Sequence, residues 1–410
     1  MNLRDAINTV EHVIVDERLN YDEVVKFLKE KSLENTPVIL NVNGKKVAKN
    51  FVSSRELLAK YLGIDPRRIA LELNKIDRKK ADIRIKDFSE LDCRKIKTNL
   101  FDLPILKYYP EDGGRYITAG IVIARRNDVF NASVHRMMLV NETSLAIRLV
   151  PPRHTYLMWK EAVESGEDLK VAIAIGTHPL FLLAAATRVE FGKEFDYASK
   201  LLDGLTLFKK GSLLVPDSEI VIFGRITSEK TKEGPFVDVT GTYDKVRLEP
   251  VLVVDEIFCK KDYLYYSITP GSREHQILMG IPYEPLILKF VSNVCKVRNV
   301  VMTPGSKHYF HCIVQIEKES EGDPKNAILA ALSANPSMKG VIVVDDDIDI
   351  FEIGDVEYAI ATRFQADRDL VVIKGVRGSS LDPSSDGLTA KWGIDATKTL
   401  GNGKFRRVTG

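Results

Sequence analysis

The chain has 410 residues, enough for two or three domains at about 100–200 residues each. Its hydrophobic fraction of 44% can fill several cores, which excludes a disordered chain. The 59 basic and 57 acidic residues give a net charge of +2, which argues against a dedicated nucleic-acid-binding protein. This net charge does not exclude a local basic pocket.

The first hundred residues alternate helices and short strands. Apolar residues at helical spacing predict a helix over 21–31, and PVILNV at 37–42 predicts a buried strand. The segment SRELLAKYL at 54–62 predicts a helix with Ser54 as its N-cap. Together these elements predict a small α/β domain that ends near Asn99.

Strands dominate the middle of the chain and alternate with helices after it. From 116 to about 267 the sequence is rich in strand segments, and only 154–164 and 179–189 have helical patterns. This predicts an antiparallel barrel rather than a doubly wound sheet. After residue 280 strands and helices alternate, which predicts another α/β domain. The tail from Ser379 is rich in Gly, Ser, Asp and Lys and is predicted to be a loop.

Several common classes of protein lack their sequence signals here. No P-loop, glycine-rich dinucleotide fingerprint, HExxH zinc motif or GxSxG nucleophile motif is present. No apolar run reaches the ~18 residues of a membrane span, and the N-terminus does not have the pattern of a signal peptide. The four cysteines are too widely spaced for a zinc pair, which is typical of a reduced compartment. We expect a soluble, cytoplasmic protein.

Three polar residues form a candidate metal site. Asn131, His154 and Glu194 supply an amide oxygen, an imidazole nitrogen and a carboxylate. Such a mixed oxygen and nitrogen set suits Mn²⁺ or Mg²⁺ better than a structural zinc. The alternative interpretation is a capping Asn with a surface His and a surface Glu.

Two further groups of residues are candidates for chemistry. Glu233 and Asp238 flank a Gly-Pro turn, and a carboxylate pair beside an arginine can transfer protons; the alternative is a polar hairpin turn. Lys391, in KWGIDAT, lies beside a glycine and is a candidate to contact a phosphate; the alternative is a solvated lysine in a flexible tail.

Taken together, these segments resemble the UbiD family of prenylated-flavin decarboxylases. The resemblance extends over nearly the whole chain, and its motifs occur in the family's order with similar spacing. The segments that carry it are NASVHR at 131–136, PRH at 152–154, VAIAIGTHP at 171–179, FGKEFDYA at 191–198, LVPDSEIVIFGRI at 214–226, EGPFVDVTG at 233–241 and KWGIDAT at 391–397.

The resemblance implies a fold of the α/β plus β class. A central flavin-binding split β-barrel (101–285) would be flanked by an N-terminal α/β domain (1–100) and by a C-terminal α/β oligomerisation domain with a cofactor-contacting tail (286–410). The implied cofactor is prenylated FMN, whose phosphate is bridged to the protein by Mn²⁺ or Mg²⁺ with K⁺ nearby. By position, the metal ligands would be Asn131, His154 and Glu194. The cofactor would be contacted by Asn131, Ala132, Ser133, Val134, His135, Arg136, Arg153, His154, Glu194 and Lys391.

The resemblance also implies a catalytic network of Arg136, Glu233 and Asp238. Arg136 would hold the substrate carboxylate beside the flavin, and Glu233 would orient Arg136 by a charge-assisted hydrogen bond. Asp238 would act as the acid/base that delivers a proton to the carbon left after CO₂ departs.

The substrate is the least determined part of the resemblance. The chain is short for the family and is similar to its archaeal branch, which implies decarboxylation of trans-anhydromevalonate 5-phosphate to isopentenyl phosphate in the archaeal mevalonate pathway. Candidate cations for the substrate phosphate are His135, Lys160, Arg188 and His275. The alternatives are an aromatic-acid decarboxylase, such as a 4-hydroxybenzoate carboxy-lyase, and a non-catalytic flavin-binding subunit. The expected partners are a carboxylic acid substrate, a flavin prenyltransferase that supplies the cofactor, and further copies of this chain, with no nucleic acid and no membrane span.

Overall fold

The chain forms two compact units in this computed structural model, which describes residues 1–405. The first unit consists of Met1–Gly63 and Ile76–His275, and the second of Ile64–Lys75 and the described part of Gln276–Gly410. The division into domains at residues 100 and 285 stays a prediction, and its last five positions, 406–410, lie outside the described residues. Within residues 1–405, no helix has the length and apolar character needed to cross a membrane.

Both units contain strands and α-helices. In chain order the strands are β1 (Val13–Leu19), β2 (Val38–Val42), β3 (Lys45–Lys49), β4 (Ile83–Asp87), β5 (Arg94–Ile96), β6 (Tyr116–Arg126), β7 (Val129–Asn141), β8 (Ser144–Ile147), β9 (Leu169–Ile175), β10 (Leu205–Lys210), β11 (Leu213–Pro216), β12 (Ile220–Glu233), β13 (Phe236–Val237), β14 (Tyr243–Asp244), β15 (Arg247–Cys259), β16 (Leu264–Tyr266), β17 (Lys296–Met302), β18 (His311–Glu317), β19 (Gly340–Asp345), β20 (Leu370–Arg377) and β21 (Leu388–Ala396). The α-helices are α1 (Leu3–Asn8), α2 (Val24–Glu30), α3 (Arg55–Leu62), α4 (Ile69–Leu73), α5 (His154–Glu164), α6 (Pro179–Ala186), α7 (Glu194–Leu202), α8 (Arg273–Gly280), α9 (Tyr283–Val291), α10 (Asp323–Ala334), α11 (Ile353–Arg363) and α12 (Ala366–Asp369).

A closed antiparallel β-barrel forms the centre of the first unit. Its strands are hydrogen-bonded in the order β12-β9-β6-β7-β8-β15, and a further pairing of β12 with β15 closes the ring. Strand β9 is buried except at Lys170, and its residues 171–175 form an uninterrupted apolar run. The predicted fold class, a central barrel with α/β regions, is confirmed.

A smaller sheet lies at the start of the first unit. Strands β1, β2, β3 and β16 are neighbours in that order, so a late strand joins three early ones. The turn between β2 and β3 passes through Asn43 and Gly44, both at positive φ, which these two residue types tolerate best. Helix α3 begins after Ser54, whose side chain accepts a hydrogen bond from the Leu57 N–H at 3.2 Å, as the sequence predicts.

The second unit contains a five-stranded sheet that the sequence predicts only in part. The sheet has the order β17-β18-β19-β21-β20, with β21 parallel to β19 and antiparallel to β20. The prediction that the tail from Ser379 is a loop is therefore wrong for Leu388–Ala396. A Cβ at Gly393 would lie 2.2 Å from an Ile328 methyl carbon, so glycine lets α10 pack closely on β21.

A buried polar cluster links β3 to the start of α8 within the first unit. Lys49 is fully buried, and its Nζ donates to the carbonyl and the hydroxyl of Ser267 at 3.1 and 3.2 Å. Glu274 is buried as well and accepts hydrogen bonds from the Asn50 and Val52 N–H groups. Burial lowers the pKa of Lys49 to about 7, although the Glu274 carboxylate acts in the opposite direction.

We expect this lysine to make stability depend on pH above neutrality. The pKa of Lys49 is about 7 when folded and near its ordinary 10.5 when unfolded, so between these values the unfolded chain binds a proton that the folded chain lacks. The free energy of unfolding should therefore rise with pH, by up to about 1 kcal/mol per unit over roughly pH 7.5–9.5. Lys49→Met should remove this rise in urea unfolding curves.

Lys46→Met, on the exposed face of the same strand, is the matched control and should keep the rise. An equal pH dependence in Lys49→Met and wild type would show that another group causes it.

Candidate active site

Strand β7 presents two sets of side chains, because successive residues of a strand point to opposite faces. Asn131, Ser133 and His135 share one face and are linked by hydrogen bonds of 3.0 and 2.9 Å through the Ser133 hydroxyl. Ala132, Val134 and Arg136 alternate with them. Of the residues predicted to contact the cofactor, those on β7 therefore divide between two faces of one strand.

The first face of β7 is bonded to helix α5. The Asn131 Nδ2 donates to the Thr155 hydroxyl at 2.8 Å, and the same hydroxyl lies 3.0 Å from His135 Nε2. His135 Nδ1 donates to the Arg148 carbonyl at 2.9 Å. Burial lowers the pKa of His135 to about 4, so its imidazole is neutral at physiological pH.

Arg136, on the other face, is surrounded by carboxylates. Its Nε and Nη2 donate to both oxygens of Glu233 at 3.0 and 2.9 Å, a bidentate pair. Its Nη1 lies 3.4 Å from Asp238 Oδ2, and its Nη2 also donates to Asp244 at 3.0 Å. The structure thus brings together the three residues predicted to form the catalytic network, and adds Asp244.

A short hairpin explains why these carboxylates converge. Phe236 belongs to β13 and Asp238 directly follows that strand, and Asp244 lies directly opposite Phe236 in the pairing of β13 with β14. All three contact Arg136, whose guanidinium carbon lies 4.7 Å from the centre of the Phe236 ring. Gly234, at φ +97°, lets the chain turn between Glu233 and the hairpin.

The charges of this cluster are strongly coupled. Burial lowers the pKa of Arg136, but Glu233, Asp238 and Asp244 outweigh that effect and raise it above its ordinary value, so the guanidinium stays protonated. Burial likewise raises the pKa of Asp244, but Arg247 and Arg136 more than compensate, and the net pKa lies below its ordinary value. Asp238 keeps 18% of its side chain exposed and Asp244 13%, whereas Glu233 has none, so Asp238 is the most accessible of the three carboxylates.

His154 and Glu194 also come together, at the first residues of α5 and α7. His154 Nδ1 lies 3.2 Å from Glu194 Oε1, and Asn131 is joined to Thr155, the residue after His154. Burial raises the pKa of Glu194, and its Oε2 is buried with no hydrogen-bond partner. A buried carboxylate oxygen without a partner is costly, and a divalent cation would satisfy it. His154 and Glu194 therefore fit the metal site that the sequence predicts, and the part of Asn131 in it stays a prediction.

Two further residues are predicted to contact the cofactor, Arg153 and Lys391. Arg153 is exposed at the residue before α5. Lys391 belongs to β21 in the second unit, where it is buried and its Nζ donates to the Pro336 carbonyl at 2.8 Å. Burial lowers the pKa of Lys391. Its contact with a cofactor phosphate stays a prediction.

Sequence reasoning missed Asp244 and Arg247. Arg247 donates to Asp244 Oδ1 at 2.6 Å, and Asp244 in turn contacts Arg136. Both follow the recognised 233–241 segment within a few residues, and recognising that segment as a hairpin would have placed Asp244 opposite Phe236.

Comparison with known proteins places this chain among carboxy-lyases. Residues 84–273 match the UbiD family model described as the 3-octaprenyl-4-hydroxybenzoate carboxy-lyase Rift-related domain. Residues 276–396 match the C-terminal domain of the same family. The chain therefore belongs to the UbiD family.

Individual relatives extend over the full length of the chain. It is 68% identical over 408 residues to anhydromevalonate phosphate decarboxylase of Archaeoglobus fulgidus, covering 100% of this chain and 96% of that protein. Among solved structures it is similar to the UbiD-class enzyme HmfF from Pelotomaculum thermopropionicum in complex with FMN, with 33% identity, a TM-score of 0.95 and coverage of 100% and 97%. An evolved dimeric form of HmfF in complex with prFMN is 31% identical, with a TM-score of 0.90 and coverage of 100% and 96%.

Proposed function

We propose that this protein decarboxylates trans-anhydromevalonate 5-phosphate to isopentenyl phosphate, with prenylated FMN as its cofactor. The observation that carries this proposal is the 68% identity, over 408 residues, to an archaeal enzyme named for that reaction. The HmfF structure in complex with prFMN supports the cofactor. The protein would act in the cytoplasm, in the archaeal mevalonate pathway of isoprenoid biosynthesis.

Arg136 would bind the substrate carboxylate through Nη1, the nitrogen that Glu233 and Asp244 leave unused. Glu233, fully buried and bidentate, would hold the guanidinium plane in place. When CO₂ leaves, the bond between C1 and C2 breaks and its electron pair stays with C2. Asp238 would deliver the proton that takes the place of CO₂.

Prenylated FMN, when bound, supplies the electron sink for this bond cleavage. Asn131, His154 and Glu194 would hold Mn²⁺ or Mg²⁺, since their donor set is mixed oxygen and nitrogen and Glu194 Oε2 lacks a partner. Lys391 and the residues of β7 would contact the cofactor, with K⁺ nearby. A flavin prenyltransferase would supply the cofactor, and the protein would form a homo-oligomer, as the dimeric HmfF form suggests.

A substrate panel tests the proposal. Holoenzyme is produced together with a flavin prenyltransferase in medium containing Mn²⁺, and CO₂ release is measured from trans-anhydromevalonate 5-phosphate and from 4-hydroxybenzoate. We expect turnover of the phosphorylated acid, with kcat/KM above that for the aromatic acid by about 100-fold or more. The physical reason is that 4-hydroxybenzoate has no phosphate, so the protein groups that bind the phosphate would be left without a partner. Native mass spectrometry of the same sample should show prenylated FMN and one metal ion.

Turnover of 4-hydroxybenzoate alone would favour an aromatic-acid decarboxylase. If holoenzyme with bound cofactor releases CO₂ from neither acid, the non-catalytic subunit becomes the better interpretation.

A further inference from the structure

Arg247 lies next to the catalytic cluster although it does not contact Arg136. It is the first residue of β15 and pairs directly with Glu233 across the ladder of β12 and β15. Directly opposed residues of an antiparallel pair point to the same face, with Cβ atoms about 4.5–5.5 Å apart. The Arg247 side chain is therefore on the face where Glu233 holds Arg136, and 20% of it is exposed.

Asp244 bridges the two arginines. Its Oδ2 accepts from Arg136 Nη2 at 3.0 Å, and its Oδ1 accepts from Arg247 Nη1 at 2.6 Å. The bridged nitrogens are therefore within about 8 Å of each other. Two guanidinium groups this close would repel each other, and the carboxylate between them offsets that repulsion.

The contacts with Asp244 and Lys245 use only one of the three guanidinium nitrogens of Arg247. Its Nη1 donates hydrogen bonds to Asp244 Oδ1 and, at 3.2 Å, to the Lys245 carbonyl. Its Nε and Nη2 have no acceptor among residues 1–405. In Arg136, the same Nε–Nη2 edge holds the Glu233 carboxylate. A planar edge with two parallel donors fits a phosphate as well as a carboxylate.

The proposed substrate carries an anion at each end. Its carboxyl carbon and its phosphorus are separated by four chain carbons and an ester oxygen, about 7 Å when extended. This length is comparable with the spacing of the two arginines. We infer that Arg247, held by Asp244, binds the substrate phosphate while Arg136 binds the carboxylate; this inference rests on the proposed function.

Three of the four cations suggested by the sequence fit this role less well. His135 donates to a carbonyl and is neutral, as described above. His275 accepts a hydrogen bond from the Gly271 N–H at 3.1 Å, and burial lowers its pKa, so it is neutral too. Lys160 is exposed on α5 and paired with Glu164 at 3.6 Å. Arg247 is charged, partly exposed and bonded to the carboxylate that contacts Arg136.

Replacing Arg247 by glutamine tests the inference. Steady-state CO₂ release by holoenzyme is measured with trans-anhydromevalonate 5-phosphate and with the same acid lacking the phosphate. We expect Arg247→Gln to lower kcat/KM for the phosphorylated acid by about 10- to 100-fold, mainly through KM, because a charge-assisted hydrogen-bonded pair is lost. For the unphosphorylated acid kcat/KM should stay within about twofold of wild type.

Calorimetry adds a readout that does not depend on turnover. The saturated analogue of the phosphorylated acid should bind to Arg247→Gln holoenzyme with a Kd raised by a similar factor, and Arg247→Lys, which keeps the charge, should recover part of the affinity. Arg84→Gln, at an exposed arginine of β4, is the control and should match wild type.

The outcomes separate the two proposals. If wild-type holoenzyme does not decarboxylate the phosphorylated acid, both the proposed function and this inference are wrong. If it does, but Arg247→Gln lowers kcat/KM equally for both acids, Arg247 only positions Arg136 and the inference alone fails. The inference also fails if Arg247→Gln leaves both acids unaffected.

Discussion

Asp238→Asn and Arg136→Ala are each expected to lower kcat for CO₂ release by at least about 10²–10⁴-fold while the cofactor stays bound. Asparagine keeps the size of Asp238 but cannot deliver the proton that replaces CO₂. Alanine at position 136 removes the cation for the substrate carboxylate and leaves the fully buried Glu233 without its partner. Single-turnover kinetics with native mass spectrometry would measure both the rate and the bound cofactor.

A matched control separates chemistry from folding. Asp203 is an exposed carboxylate at the end of α7, at φ +50°, a conformation that asparagine also tolerates. Asp203→Asn should therefore keep wild-type activity. Arg136→Ala also leaves a buried carboxylate unpaired, so its melting temperature should fall, whereas that of Asp238→Asn should change little. If Asp238→Asn keeps most of its activity, Asp238 is not the proton donor.

Glu194→Gln is expected to lower the affinity for Mn²⁺ by at least about 100-fold and, with it, the retention of cofactor. The physical reason is the buried Glu194 Oε2, which has no hydrogen-bond partner in the protein. An ionised carboxylate buried in this way destabilises the metal-free protein, so its removal should not lower the stability of that form. Metal content and melting temperature with and without Mn²⁺ would be measured together.

Mn²⁺ should raise the melting temperature of wild type, since it binds the folded state, and leave that of Glu194→Gln unchanged. Glu164→Gln, an exposed carboxylate on the same helix as His154, is the control and should respond as wild type does. A Glu194→Gln protein that still binds one metal ion would place the metal elsewhere.

Much of the local structure follows from sequence patterns. Helix α5 has the predicted bounds, Ser54 caps α3, and the strand-rich middle forms an antiparallel barrel. These features depend on hydrophobic periodicity and capping, which act over a few residues. The family motifs also predicted Arg136, Glu233 and Asp238 as one group, because the resemblance connects positions that lie 97 residues apart in the chain.

Only the tertiary structure decided which segments pair across long distances. Strand β21 lies in a tail whose composition predicts a loop, and its place in the sheet depends on hydrogen bonds to β19 and β20. In the same way, the register of β13 with β14 places Asp244 beside Phe236, and the register of β12 with β15 places Arg247 beside Glu233. Strand pairing is non-local, so local composition and periodicity do not determine which distant strands become neighbours, whereas hydrogen bonding and packing in the folded chain do.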